Sequence, residues 1–233
     1  MRNPLIVALD VPEANRAVEL AGRLAGAVGA LKIGKELFTS AGPEIVRRLR
    51  ATGAPVFLDL KFHDIPNTVA RAVEAAVALD VQMLTIHTSG GTAMMKAAEE
   101  AARIAAERLG RTPPLILGVT VLTSLDDAAL AELGWSATAA QQVERLARLA
   151  VGAGLRGLVC SPRELGALRA GLPASVQLVT PGIRPAGSEA GDQKRTLTPR
   201  EAMAAGADWL VIGRPICAAA DPRAAAEKIL AGL

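Results

Sequence analysis

The sequence predicts an α/β, single-domain (β/α)8 (TIM) barrel over residues 1–233, and three observations predict it. Eight apolar runs of strand length each lead into a helix-forming stretch. The first four runs begin about 26 residues apart, the spacing of a repeated strand–helix unit. The total of 233 residues is slightly under the roughly 250 typical of eight such units closed into a barrel. An open doubly wound sheet is the alternative, but the first strand–helix turn lacks a G-x-G-x-x-G fingerprint. No linker divides the chain.

Leu5 to Asp10 is a near-continuous apolar run ending in a charge, as in strands buried on both faces of a parallel sheet. Val11-Pro12 opens a helix to about Gly26. Ala30 to Gly34 is the second strand, with Lys32 inside it, and a helix follows Gly42-Pro43 to Arg50. Val56 to Lys61 is the third strand, and Pro66 starts a helix to about Leu79. Met83 to Thr88 is the fourth, followed after Gly90-Gly91 by an Ala-rich helix ending near Gly110. Leu115 to Leu122 is the fifth strand, with helices over about 125–133 and 137–151. Gly157 to Ser161 is the sixth, and Pro162 opens its helix. Val176 to Thr180 and Trp209 to Arg214 are the last two strands, and a final helix begins near Asp221.

Composition bounds the function. Hydrophobic residues make up 51%, enough for a sizeable core, but aromatics are 2% and Tyr is absent, so Ala, Leu and Val must fill it. A net charge of +3 from 26 basic and 23 acidic residues, with few stacking groups, argues against nucleic-acid binding. The pI of about 9.2 fits local basic pockets for an anionic substrate. Cys160 and Cys217 have no metal or redox spacing, and reduced buried thiols fit a cytoplasmic protein. With only His63 and His87, a histidine-based metal centre is not expected. Neither a signal peptide nor an apolar run of the ~18 residues a membrane helix needs is expected.

The chemistry concentrates in Val56-Phe57-Leu58-Asp59-Leu60-Lys61-Phe62-His63-Asp64-Ile65-Pro66-Asn67-Thr68. Strand alternation puts Asp59 and Lys61 on one face and Val56, Leu58 and Leu60 on the other. Asp64 follows three residues on, so carboxylate, ammonium and carboxylate are expected to cluster at the strand's carboxyl end. An isolated D-x-K reads first as a surface ion pair. Here fully apolar positions flank the charges, which favours a site. Barrel active sites lie at the carboxyl ends of the strands. The polar groups there are Asp10, Lys32, Asp59, Lys61, His87, Thr123 and Arg214, some of which a solvated rim also explains. The stretch from Pro181 to Thr196 has three glycines, two prolines and no apolar period. It reads as a binding loop or lid, or as a surface loop. Barrels often bind phosphate after strands seven and eight, where Gly213 admits an anion to the backbone and Arg214 can grip it. A capping or rim ion pair is the alternative for Arg214.

The string Asp59-Leu60-Lys61-Phe62-His63-Asp64-Ile65-Pro66-Asn67-Thr68 resembles the signature of the orotidine 5'-phosphate decarboxylase family. Related phosphosugar barrels share D-x-K-x-x-D but usually continue with Ala-Gly. Ala8-Leu9-Asp10, Lys32-Ile33-Gly34, His87 with Gly90-Gly91, Leu122-Thr123-Ser124, Pro181 to Arg184, Asp192-Gln193 and Ile212-Gly213-Arg214 extend the resemblance along the chain, in order. The resemblance implies decarboxylation of orotidine 5'-phosphate to UMP, closing de novo pyrimidine synthesis, with no cofactor and no metal. It implies Lys61 as proton donor and Asp59 beside the substrate carboxylate. Asp10 and Lys32 would bind ribose hydroxyls, with Lys32 also pairing with Asp59. Thr123 would face the pyrimidine amide. Gln193, Gly213 and Arg214 would hold the phosphate, with Arg184 placed by the lid. Asp64, Ile65 and Thr68 would reach the neighbouring subunit's site in a homodimer. His87 reads as a barrel-interior residue and His63 as structural. A metal-dependent phosphosugar lyase or epimerase and a non-catalytic phosphometabolite binder are the rival readings.

Overall fold

A computed structural model describes residues 3–185 and 196–233. Eight parallel strands close a barrel in sequence order, β8 pairing back onto β1. The strands are β1 (Leu5–Ala8), β2 (Ala30–Ile33), β3 (Val56–Phe62), β4 (Met83–His87), β5 (Leu115–Val119), β6 (Gly157–Val159), β7 (Gln177–Thr180) and β8 (Trp209–Ile212). Helices α1 (Ala14–Leu24), α2 (Lys35–Ala41), α3 (Glu44–Arg50), α4 (Pro66–Ala78) and α5 (Gly91–Arg108) follow the first four strands. Then come α6 (Asp127–Glu132), α7 (Ala139–Gly152), α8 (Leu165–Gly171), α9 (Pro199–Ala204), α10 (Arg214–Cys217) and α11 (Pro222–Ala231).

Strand alternation builds two cores. Inward residues Ile6, Ala30, Phe57, Met83, Leu117 and Trp209 fill the barrel, where the Trp209 indole donates to Gln177 Oε1 at 2.9 Å. Outward residues such as Leu5, Leu31, Leu58 and Leu84 pack against the helices. Large side chains at the amino-terminal end plug the barrel, and smaller ones above them, Ala8, Val179 and Val211, leave the carboxyl-terminal mouth open.

The boundaries differ from expectation in several places, and β1, β6 and β8 each stop two residues short of the expected strands, at Ala8, Val159 and Ile212, with Arg214 opening α10 instead of ending β8. The fifth strand stops at Val119, not Leu122. Val121 and Leu122 are apolar because they line the cavity described below, not because they continue the sheet. Helices α2 and α10 were not expected, being only 7 and 4 residues long, too short for an apolar period to emerge, whereas α9 is the helix expected after the seventh strand. Pro162 opens a 3-10 turn, Pro162–Glu164, before α8. Pro66 does occupy the first turn of α4, where its missing N–H costs nothing.

Candidate active site

The site begins with an irregularity in β3. Leu58 pairs with Leu84 and Phe62 with Ile86, so four steps along β3 span only two along β4. Lys61 takes up the slack with φ 55, a left-handed backbone uncommon for a residue with a Cβ. The faces still alternate. Leu58, Leu60 and Phe62 pack outward, while Asp59 and Lys61 line the mouth. Such bulges re-aim side chains beside active sites. Alternation therefore predicts the face, while the bulge sets the aim.

The inward groups of three strands form one line of alternating charge. Asp10, just past β1, accepts from Lys32 Nζ at 3.2 Å. Lys32 Nζ lies 3.6 Å from Asp59 Oδ2, and Lys61 Nζ donates to Asp59 Oδ1 at 2.7 Å. Lys32 and Asp59 are only 12% and 14% exposed, so each charge needs the other. Burial pushes the Asp59 carboxyl up. The charges of Lys32 and Lys61, with hydrogen bonds from Lys61 and Thr85, outweigh burial and hold it below the usual carboxylate range. At Gly34 a Cβ would sit 3.3 Å from Lys32 Nζ, so the small residue leaves the ammonium room.

This line edges a cavity of about 430 Å³, within the range of small-molecule sites. Its floor is apolar, with Phe57, Val119, Val159, Val179 and Val211. Thr123 and Ser161 add hydroxyl groups, and Gly213, Arg184 and Arg214 complete the wall beyond β7 and β8. Burial first, and then the charge of Arg214, lower Arg184 below its ordinary value. An anion placed between these two guanidinium groups would relieve their mutual repulsion.

Asp10, Lys32, Asp59, Lys61, Thr123, Arg184, Gly213 and Arg214 thus meet at one cavity as expected. Asp64 does not join them. It lies exposed, its carboxylate accepting from the Ile65 N–H at 2.6 Å, and among the described residues it forms no ion pair. The expected carboxylate–ammonium–carboxylate cluster is therefore corrected to Asp59 and Lys61, because the chain turns outward beyond Phe62. Thr68 is exposed beside Asp64, and Ile65 is 67% exposed, a large apolar side chain left in solvent by this chain. Gln193 lies outside the described residues. Two polar groups had no mark in the sequence, Ser161 and the buried Thr85 beneath the cavity. Strand parity with Met83 and His87 places Thr85 inward, but one hydroxyl in an apolar run gives no other signal.

The His87 ring stands beside that of His63, with centroids 5.5 Å apart. Burial, then the charges of His63, Lys61 and Lys35, lower His87 to about 4 against the opposing pull of Asp59. Between its ordinary 6.5 and about 4, the unfolded chain binds a proton at His87 that the folded chain does not. Stability should therefore fall as pH falls through that window. Thermal melts at pH 7 and pH 5 should show a smaller drop in Tm for His87→Asn than for the native chain. Equal drops would assign the effect elsewhere.

Among the described residues, no group of three or more His, Cys, Asp or Glu side chains is placed to hold a metal ion. Nor is any helix among them long and apolar enough to cross a membrane.

Comparison with known proteins gives one answer. A curated orotidine 5'-phosphate decarboxylase from Paramagnetospirillum magneticum is 54% identical over 233 residues, covering 100% of this chain and 99% of that protein. One from Laribacter hongkongensis is 56% identical over 231 residues, covering 99% and 93%. The crystal structure of orotidine 5'-phosphate decarboxylase from Lactobacillus acidophilus superposes with a TM-score of 0.88 at 38% identity, covering 98% of each chain. With its family model matching residues 3–229, the chain belongs to the orotidine 5'-phosphate decarboxylase / HUMPS family.

Proposed function

We propose that this chain is a carboxy-lyase that converts orotidine 5'-phosphate to uridine 5'-phosphate and CO2, the final step of UMP synthesis. The carrying observation is the charge line Asp10–Lys32–Asp59–Lys61 at one side of a cavity whose wall also holds two guanidinium groups. In this reading the C6–carboxylate bond breaks and its electron pair stays on C6. Lys61 then gives a proton from its ammonium to that carbon and is reprotonated from solvent. Asp59 lies beside the departing carboxylate and keeps Lys61 charged. Preorganised charge of this kind is worth far more in a partly desolvated site than in water. Asp10 and Lys32 take ribose hydroxyls, and Thr123 the pyrimidine amide. Arg184, Gly213 and Arg214 take the phosphate, whose binding can drive chemistry several bonds away.

The same proposal makes the protein a cytoplasmic homodimer that binds neither nucleic acid nor membrane. Asp64, Ile65 and Thr68 complete the partner's site, and their exposure in the single chain supports this. Two cysteines without a disulfide fit a reducing compartment.

The test follows the orotate absorbance of orotidine 5'-phosphate in the presence of EDTA. The proposal predicts its loss with one CO2 released per UMP formed. No turnover would leave only a binding protein, and turnover abolished by the chelator would favour a metal-dependent lyase. A second measurement isolates the phosphate contact. Arg214→Ala should lower kcat/KM on the phosphorylated substrate by roughly 10- to 10²-fold, the worth of one charge-assisted hydrogen bond. The slow reaction of unphosphorylated orotidine should hardly change. Equal losses on both would place Arg214 away from the phosphate.

A further inference from the structure

One hydroxyl ties the Lys61 backbone to the Asp59 side chain in β3. Thr85, in the middle of β4, is 0% exposed and lies outside the cavity lining. Its Oγ1 accepts from the Lys61 backbone N–H at 2.9 Å and donates to Asp59 Oδ1 at 2.9 Å. A hydroxyl has a single proton, so donating it to Asp59 leaves only lone pairs to face the Lys61 N–H, and the two bonds fix the rotor. Both contacts fall where support is scarce. The β3 bulge takes Lys61 out of the regular ladder, leaving its N–H to find another partner. The residue also holds φ 55, which persists only where the surroundings enforce it. Asp59 Oδ1 receives the Lys61 ammonium at 2.7 Å as well as the Thr85 hydroxyl, which leaves Oδ2 turned toward Lys32 at 3.6 Å. Rotation of that carboxylate would loosen both ammonium contacts at once.

We infer that Thr85 is a positioning residue for the decarboxylation, its hydroxyl holding the Lys61 backbone and the Asp59 carboxylate in the arrangement that aims the Lys61 ammonium into the cavity. The inference rests on the roles given above to Lys61 and Asp59. A threonine that only satisfied buried polar groups would affect stability and leave the chemical step alone. The positioning role is favoured because the hydroxyl's two partners, the Lys61 backbone and the Asp59 carboxylate, belong to the residues given the chemistry.

The test compares Thr85→Val, which keeps the shape and removes the hydroxyl, with Thr85→Ser, which keeps the hydroxyl. Thr85→Val should lower kcat at least ~10-fold, toward the ~10²-fold that a misplaced group can cost, with KM within about threefold of native. Thr85→Ser should keep kcat within about threefold. Losing a donor to the carboxylate raises the proton affinity of Asp59, so the acidic limb of kcat/KM should move to higher pH in Thr85→Val alone. Hydrogen exchange at the Lys61 amide should speed up in Thr85→Val and not in Thr85→Ser, and this readout does not depend on catalysis. If Thr85→Val does not fold, Thr85→Ala, which leaves room for a water, takes its place in every arm. The inference is overturned if the hydroxyl-free variant keeps kcat within twofold, if the serine variant loses as much, or if activity only tracks the folded fraction with an unmoved pH profile. Should Lys61→Ala itself retain activity, the reading of Lys61 fails, while the amide result still reports whether Thr85 holds that backbone.

Discussion

Lys61→Ala is expected to lower kcat at least ~10³-fold while product-nucleotide affinity changes far less. The substitution removes two things at once. One is the proton donor, worth about 10²- to 10⁴-fold for a positioned acid. The other is the positive charge facing the developing carbanion, comparable to a lost oxyanion-hole donor at about 10²- to 10³-fold. The two act at the same atom and do not multiply fully. The fold should survive, because Lys61 is at the cavity mouth and Asp59 retains Lys32 and the Thr85 hydroxyl. Circular dichroism and product binding check that point. A folded variant keeping more than about a tenth of native kcat would remove Lys61 from the chemistry.

The second large effect is a recovery of activity. Asp64→Ala should be nearly inactive although Asp64 is exposed and forms no ion pair among the described residues. A surface substitution of that kind ordinarily changes stability by only about 0.5 kcal/mol or less. If Asp64 completes the partner's site, a C2 dimer exchanges these residues reciprocally. Mixing inactive Lys61→Ala and Asp64→Ala chains under subunit exchange then gives mixed dimers with one doubly damaged site and one intact site. Random pairing puts half the chains in mixed dimers, so activity should return to about a quarter of native. If each site were built within one chain, every site would keep one lesion and the mixture would stay dead. Mass spectrometry of the intact dimers confirms the exchange.

The contrast between Lys61 and Asp64 shows what sequence could and could not reveal. Lys32, Asp59 and Lys61 stood out because charges inside apolar strands need partners, and the barrel rule says at which end those partners meet. Asp64 lay three residues from Lys61 and was read into the same cluster. Spacing along a chain does not reveal an outward turn, and the structure leaves Asp64 in solvent. The strand count and order were legible from eight apolar runs, whereas the end of β5 was not. Val121 and Leu122 are apolar for the cavity's sake, and periodicity cannot separate the two causes. Thr85 was invisible for the opposite reason. Its role depends on a bulge in a different strand, 24 residues from the amide it holds. Arg184 was legible in the loop after the seventh strand and Arg214 at the end of the eighth, but their mutual approach appears only once β7 and β8 are paired.

The most direct test of the central claim, that this charge line and the paired guanidinium groups grip opposite ends of one nucleotide, is a crystal structure with uridine 5'-phosphate bound. The account predicts Lys61 Nζ within about 3–3.5 Å of C6, the approach of a near-attack geometry, with Arg214 on the phosphate and Asp59 still bridging both lysines. A nucleotide bound in the reverse sense, with its phosphate against Lys61 or its C6 more than about 5 Å from Nζ, would contradict it.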